Sequence, residues 1–181
     1  NGLKALNLKD EDELINVFLT DGQTDIIIGT KMGYAVRFNE NQVRNMGRAA
    51  TGVRGVNLRP DDHVVGASVI SDNQEVLVIT EKGYGKRTLA SEYATKGRGG
   101  KGMKTANITE KNGPLAGLMA VNGDEDLMII TNTGVIIRTN VANISQTGRA
   151  TLGVKVMRLD KGAQIVTFTS VEAENEKEVD E

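Results

Sequence analysis

Arginine and lysine recur at three fixed places in this chain, and cations held at fixed intervals can do one kind of chemistry: grip a polyanion by its charges. Arg37, Arg87 and Arg138 each stand four residues after a glycine (Gly33, Gly83, Gly134). Arg48, Arg98 and Arg149 follow eleven residues later, and Arg54, Lys104 and Lys155 come two residues after Gly52, Gly102 and Gly153. The shared phrase is Gly-Arg-x-x-x-Gly-x-basic. Its second copy, Lys96-Gly97-Arg98-Gly99-Gly100-Lys101-Gly102, adds two lysines and enough glycine for backbone N–H groups to approach a phosphate closely. Cations repeated at equivalent points of stacked units form a spaced row, which suits the regular phosphates of a duplex. The same rows also fit a plainer use, in which strand-end Arg and Lys protect sheet edges and keep the protein in solution.

Other chemistries fail on context. Gly97, Gly99 and Gly102 match a dinucleotide fingerprint, but the pattern ahead of the loop is not a strand and the one after it is not a helix. Met103 stands where a P-loop would have its lysine. His63 is the one histidine and there is no cysteine, so no catalytic constellation, metal site, disulfide or cofactor site is expected. Tyr34, Tyr84 and Tyr93 could stack on bases, yet the third copy has Val135 where Tyr34 and Tyr84 stand. Recognition of a backbone, not of bases, is the expectation.

The elements that must position these cations read as short strands. Apolar Asp25–Thr30 turns through Lys31-Met32-Gly33 into alternating Tyr34–Phe38, and Glu75–Leu89 and Asp126–Thr139 repeat the hairpin. A polar connection carrying the Gly-Arg phrase leads to a third strand (Val53–Leu58, Met103–Ile108, Val154–Leu159) and a charged turn to a fourth (Val64–Ile70, Leu115–Val121, Ile165–Val171). Leu3–Leu8 and Leu14–Leu19 read as the third and fourth strands of a partial copy, so the natural protein is expected to continue upstream. The closing glycines Gly2, Gly52, Gly102 and Gly153 lie 50, 50 and 51 residues apart. Four strands per unit of that size predict an all-β, propeller-like body over residues 1–171, with a partial blade at 1–24 and repeats near 25–74, 75–125 and 126–171. Residues 172–181 hold six carboxylates against Lys177, a local charge of −5 in a chain of net −2, and read as a disordered acidic tail on a cationic body. No apolar run is long enough to span a bilayer and no signal peptide opens the chain, so a cytoplasmic protein is expected.

With these repeats laid out, the chain resembles the C-terminal domain of bacterial DNA gyrase A along essentially its whole length. The roughly 50-residue unit carries the resemblance, together with the Gly-Arg-x-x-x-Gly-x-basic loop and the phrases Glu81–Arg87 and Ile144–Arg149. The corresponding domain of topoisomerase IV is similar but more degenerate. The resemblance implies a β-pinwheel, a propeller-like disc with altered strand connections between blades. It also implies double-stranded DNA wrapped by its phosphates around a basic perimeter in support of ATP-dependent negative supercoiling. The implied partners are the rest of gyrase A and, through it, gyrase B, with the catalytic tyrosine in another domain. Arg98–Gly102 fits the end of the family's diagnostic box, whereas Lys96 and Gly97 depart from its first two positions. That makes this loop a box-like copy in a later blade. The rival function from the residues alone is a protein-binding propeller that meets an acidic partner.

Overall fold

Alternating apolar residues, cut every few positions by glycine, give this chain hairpins and little else. The computed structural model describes residues 2–173. The expected disordered stretch lies outside them except for Glu172 and Ala173. The first hairpin joins β1 (Asp25–Thr30) to β2 (Tyr34–Asn39), with Ile28 opposite Val36. Gly33 takes φ +84 at the turn, a region open to glycine at no steric cost. The same hairpin returns as β4 (Glu75–Thr80) with β5 (Tyr84–Leu89) and as β8 (Asp126–Thr131) with β9 (Ile136–Asn140). A single 3-10 turn follows each second strand, at Glu40–Gln42, Ala90–Glu92 and Val141–Asn143. The last strand of each repeat is β3 (Val64–Ile70), β7 (Leu115–Val121) and β11 (Ile165–Val171).

The strands after the second and third Gly-Arg loops leave their own repeats. β6 (Met103–Lys104) completes the first sheet, in the order β3-β1-β2-β6, and β10 (Val154–Lys155) completes the second, β10-β5-β4-β7. The third sheet, β11-β8-β9, has three strands. Blades are therefore stitched by an exchanged strand, and the all-β, propeller-like expectation holds with this change: a blade is three strands of one repeat plus one of the next.

Several expected strands are shorter or missing. Met103–Ile108 and Val154–Leu159 form ladders over two residues each. Val53–Leu58 makes only an isolated parallel bridge, Val56 to Gly100, and Leu3–Leu8 and Leu14–Leu19 form no strand. For Val53–Leu58 the exchange explains this. A third strand needs the second strand of a preceding blade, and the chain ahead of β1 supplies no hairpin. Leu3 and Leu19 accordingly stay exposed.

β4 shows how the core is organised. Every residue in it is buried, and the pleat sends Val76 and Val78 into a cluster with Ile27, Ile70 and Leu115, while Leu77 and Ile79 join Leu127, Ile129 and Ile165. Each core fills the gap between neighbouring blades. On the inner side β3, β7 and β11 lie next to one another. This close approach requires glycine: a Cβ at Gly66 would stand 2.5 Å from the Leu118 carbonyl oxygen, and one at Gly117 would stand 2.7 Å from the Phe168 ring.

Backbone cannot step aside as a side chain can. Gly66→Ala should therefore lower stability by about 1–3 kcal/mol, the usual cost of overpacking. Gly97→Ala, where a Cβ meets nothing within 4 Å, should change it little. Urea denaturation of the two variants checks this; equal midpoints would contradict it.

Candidate nucleic-acid interface

Two of the three cation rows sit in different places from those the sequence suggests. In the first row Arg37 lies within the body and Arg87 is half-buried, whereas Arg138 is exposed. Arg37 is 5% exposed. Its Nε donates to Asp25 at 2.8 Å, its Nη2 to Asp72 at 2.7 Å, and its Nη1 to the Ala90 and Tyr93 carbonyls of the next repeat at 3.0 and 3.3 Å. Arg87 repeats the arrangement, pairing with Glu75 and donating to the Ile144 and Ala142 carbonyls. Arg138 pairs with Asp126 at 2.8 Å and donates to the Glu172 carbonyl. Arg37 and Arg87 clamp one blade's hairpin to the 3-10 turn region of the next, and their donors already serve protein acceptors. Arg138 instead ties its hairpin to the chain just after β11 of its own repeat. Burial alone would raise the carboxyl of Asp25, but hydrogen bonds from Thr95, Asn39 and Arg37 hold it below the ordinary carboxylate value.

The second row divides. Arg48 is exposed. Arg98 and Arg149 are half-buried because each Gly-Arg loop leans on the loop before it. Arg98 donates to the Gln42 and Arg54 carbonyls at 2.9 and 3.0 Å, and its amide donates to the Gln42 side chain. Arg149 donates to the Lys104 carbonyl at 3.1 Å, and its amide donates to Glu92. The acceptor is thus the carbonyl of the preceding loop's basic residue, Arg54 or Lys104. The closing glycines seat the stack. A Cβ at Gly102 would lie 2.8 Å from the Ala35 oxygen and one at Gly153 would lie 2.7 Å from that of Gly85, and both glycines have positive φ.

What remains is a rim of exposed cations. Arg54, Lys104 and Lys155 hold the same place on successive loops, joined by Lys96 and Lys101 in the glycine-rich copy and by Arg48. Lys104 and Lys155 ride on the exchanged strands β6 and β10, each at the outer edge of its sheet. Among the described residues no cluster of His, Cys, Asp or Glu could hold a metal ion, and no helix is long and apolar enough to cross a membrane.

Sequence reasoning passed over Lys86. It is 1% exposed, and its Nζ donates to the Gly148 carbonyl at 2.6 Å, to the Arg149 carbonyl and to Thr151 Oγ1. The third loop is therefore built around a buried ammonium. Burial pushes that group down to about 8, with Glu92 opposing the shift and Arg149 adding to it. The signal was faint, because Val36 and Ile137 occupy its place in the other blades. Also missed were the acids of the clamps, Asp25, Glu75 and Asp126. Each precedes its arginine by twelve residues, an interval the hairpin register turns into a cross-strand diagonal.

A row of strand-exchanged blades with buried arginine clamps and a cationic rim is the class that fold and site define. The chain belongs to the family described as DNA gyrase C-terminal domain, beta-propeller, whose model matches residues 1–21, 24–71, 74–122 and 125–172. It is 78% identical over 179 residues to the DNA gyrase A protein of Streptococcus pneumoniae serotype 4, a match covering 99% of this chain and 22% of that protein. It is 63% identical over 180 residues to the DNA gyrase A protein of Halalkalibacterium halodurans, covering 99% and 22%. The chain thus spans about a fifth of the curated relatives it matches. Among solved structures, a DNA gyrase A C-terminal domain superposes with a TM-score of 0.84 at 27% identity, over 93% of this chain and 58% of that one. The C-terminal domain of a DNA topoisomerase IV gives 0.88 at 26%, over 93% and 53%.

Two measurements check the electrostatics of the site. Arg37→Ala removes the charged one of three side chains that donate to Asp25, together with the bridge to the Ala90 and Tyr93 carbonyls. It should cost up to about 3–5 kcal/mol, the usual loss on breaking a buried pair. Arg138→Ala, at an ion pair within its own hairpin whose arginine is one-third exposed, should cost less. For Lys86 the folded value near 8 lies below the ordinary 10.5, so between these the unfolded chain binds more protons. Stability of the native sequence relative to Lys86→Met should therefore rise with pH across that window. A flat or falling difference in urea titrations would contradict the buried ammonium.

Proposed function

We propose that this chain binds duplex DNA through its phosphates, without sequence preference, and bends it along the cationic rim. In this reading it works as the C-terminal part of a type II topoisomerase, delivering wrapped DNA to the rest of gyrase A and, through it, to gyrase B, in support of ATP-dependent negative supercoiling. Its place of work is then the cytoplasm, on the chromosome. The observation that carries this reading is the recurrence of Arg54, Lys104 and Lys155 as exposed cations at one position on successive, rigidly stacked loops.

The physics favours a repeat protein for the task. Bending a site of about 20–30 base pairs by 40–90° costs roughly 1–6 kcal/mol in elastic terms, so many phosphate contacts along a rigid curve are needed. Blades locked by buried clamps supply rigidity, and loops stacked at one pitch supply the contacts. Arg37 and Arg87 take part only through the frame they hold. Arg98 and Arg149 space the loops and reach phosphate with whatever donors the stack leaves them.

Affinity for a random-sequence duplex should fall linearly on a log–log plot against salt, with about 0.9 of slope for each phosphate neutralised. Replacing Arg54, Lys104 and Lys155 together by glutamine should flatten that slope by about 2–3 on the same scale. A salt-insensitive affinity, strong sequence preference, or capture of an acidic protein in place of DNA would refute the reading.

A further inference from the structure

Blade two carries a cationic site that blade one lacks. The Tyr84 ring is half-buried at the start of β5, and two ammonium groups stand over it, Lys155 Nζ at 5.3 Å and Lys111 Nζ at 5.9 Å from the centroid. Lys82 lines the same open cavity of about 370 Å3. Its stem runs across Gly113, where a Cβ would meet the Lys82 Cγ at 2.9 Å, and its ammonium donates to the Glu110 carbonyl. A side chain at 113 would push that lysine out of place. All three lysines are exposed, and among the described residues none pairs with a carboxylate.

The equivalent place in blade one is closed. There the ring is Tyr34, and Arg59 lies flat on it at 3.3 Å with its Nη1 tied to the Lys101 carbonyl. Met32 stands where Lys82 does, and Asp61 where Lys111 does, counting from the third strand. In the third repeat Thr133 and Gly162 take those places and Val135 replaces the tyrosine. The concentration of charge is thus a property of one blade and not of the repeat.

We infer that Lys82, Lys111 and Lys155, gathered around the Tyr84 ring, form a phosphate seat for the backbone of duplex DNA where it passes blade two. The inference rests on the DNA-binding reading above and deepens it. Three unneutralised ammonium groups around one cavity raise the local positive potential, and the ligand that relieves it is an anion. Lysine meets phosphate as a point charge, and the ring face attracts two of the ammonium groups to this place in advance, which reduces the ordering cost of binding. Lys155 belongs both to this seat and to the rim, so a strand lying on the Gly-Arg loops reaches the seat without leaving the surface.

The test compares this chain with Lys82→Gln/Lys111→Gln and with a rim variant, Lys101→Gln/Lys104→Gln, titrating a random-sequence duplex at several salt concentrations. The seat variant should bind about 3–10-fold more weakly at low salt and lose about 1–2 from its salt slope, the signature of lost phosphate contacts. In the native chain the Tyr84 and Lys155 amide resonances should shift on adding duplex, and these shifts should shrink in the seat variant. If the rim variant weakens binding while the seat variant keeps the native slope and shifts, the seat is overturned and the rim stands. If the native chain shows no salt-dependent duplex binding, both fall together.

Discussion

A buried guanidinium between blades is the interaction on which the rest depends. Taking a charge out of water costs several kcal/mol unless every donor finds an acceptor, and a lone ion pair would not repay it. Arg37 comes near this condition, with an acceptor at each of its three guanidinium nitrogens: two carboxylates and two backbone carbonyls, one side of the clamp in its own repeat and the other in the next. Because the acceptors in the next repeat are backbone oxygens, the clamp fixes a distance and an angle as well as an affinity. Apolar packing between blades, shared across both faces of β4, supplies much of the burial but little of that geometry. The strand exchange through β6 and β10 adds covalent continuity to the same junctions.

The rim follows from the clamps. With successive blades held at one pitch, each Gly-Arg loop comes to rest on its predecessor. The second-row arginine then finds the same carbonyl each time, Arg54 for Arg98 and Lys104 for Arg149. The basic residue whose carbonyl is used in this way has its side chain turned outward. One backbone contact thus sets both the spacing of the loops and the direction of the exposed charge. Lys86 does related work in the third loop alone, gathering three oxygens around a buried ammonium.

Much of the fold was legible because hairpins are local. Glycine at 33, 83 and 134 and alternation on either side placed β1 to β5, β8 and, within a residue, β9, and the fourth strands came out as β3, β7 and β11. The third strands were misjudged because pairing is a tertiary matter: Met103–Ile108 looks extended throughout, but a ladder forms only where β2 offers Tyr34 and Ala35. Val53–Leu58 has the same pattern and no such edge. Among the cations, recurrence was visible but burial was not. Arg37 and Arg54 look alike in a sequence, and only the register that sets Asp25 diagonal to Arg37 separates a buried clamp from an exposed cation. The constant twelve-residue interval from acid to arginine held that information all along.

The central claim is a division of labour, with deep cations holding the blades and exposed lysines meeting DNA. Lysine reactivity toward a small acylating reagent, read residue by residue with and without duplex DNA, tests it most directly. The account predicts that Lys101, Lys104 and Lys155 react freely in the unbound chain and become protected on adding duplex, while buried Lys86 stays unreactive in both states and Lys9 is unchanged. Protection spread evenly over all exposed lysines, or none at the loops, would contradict it.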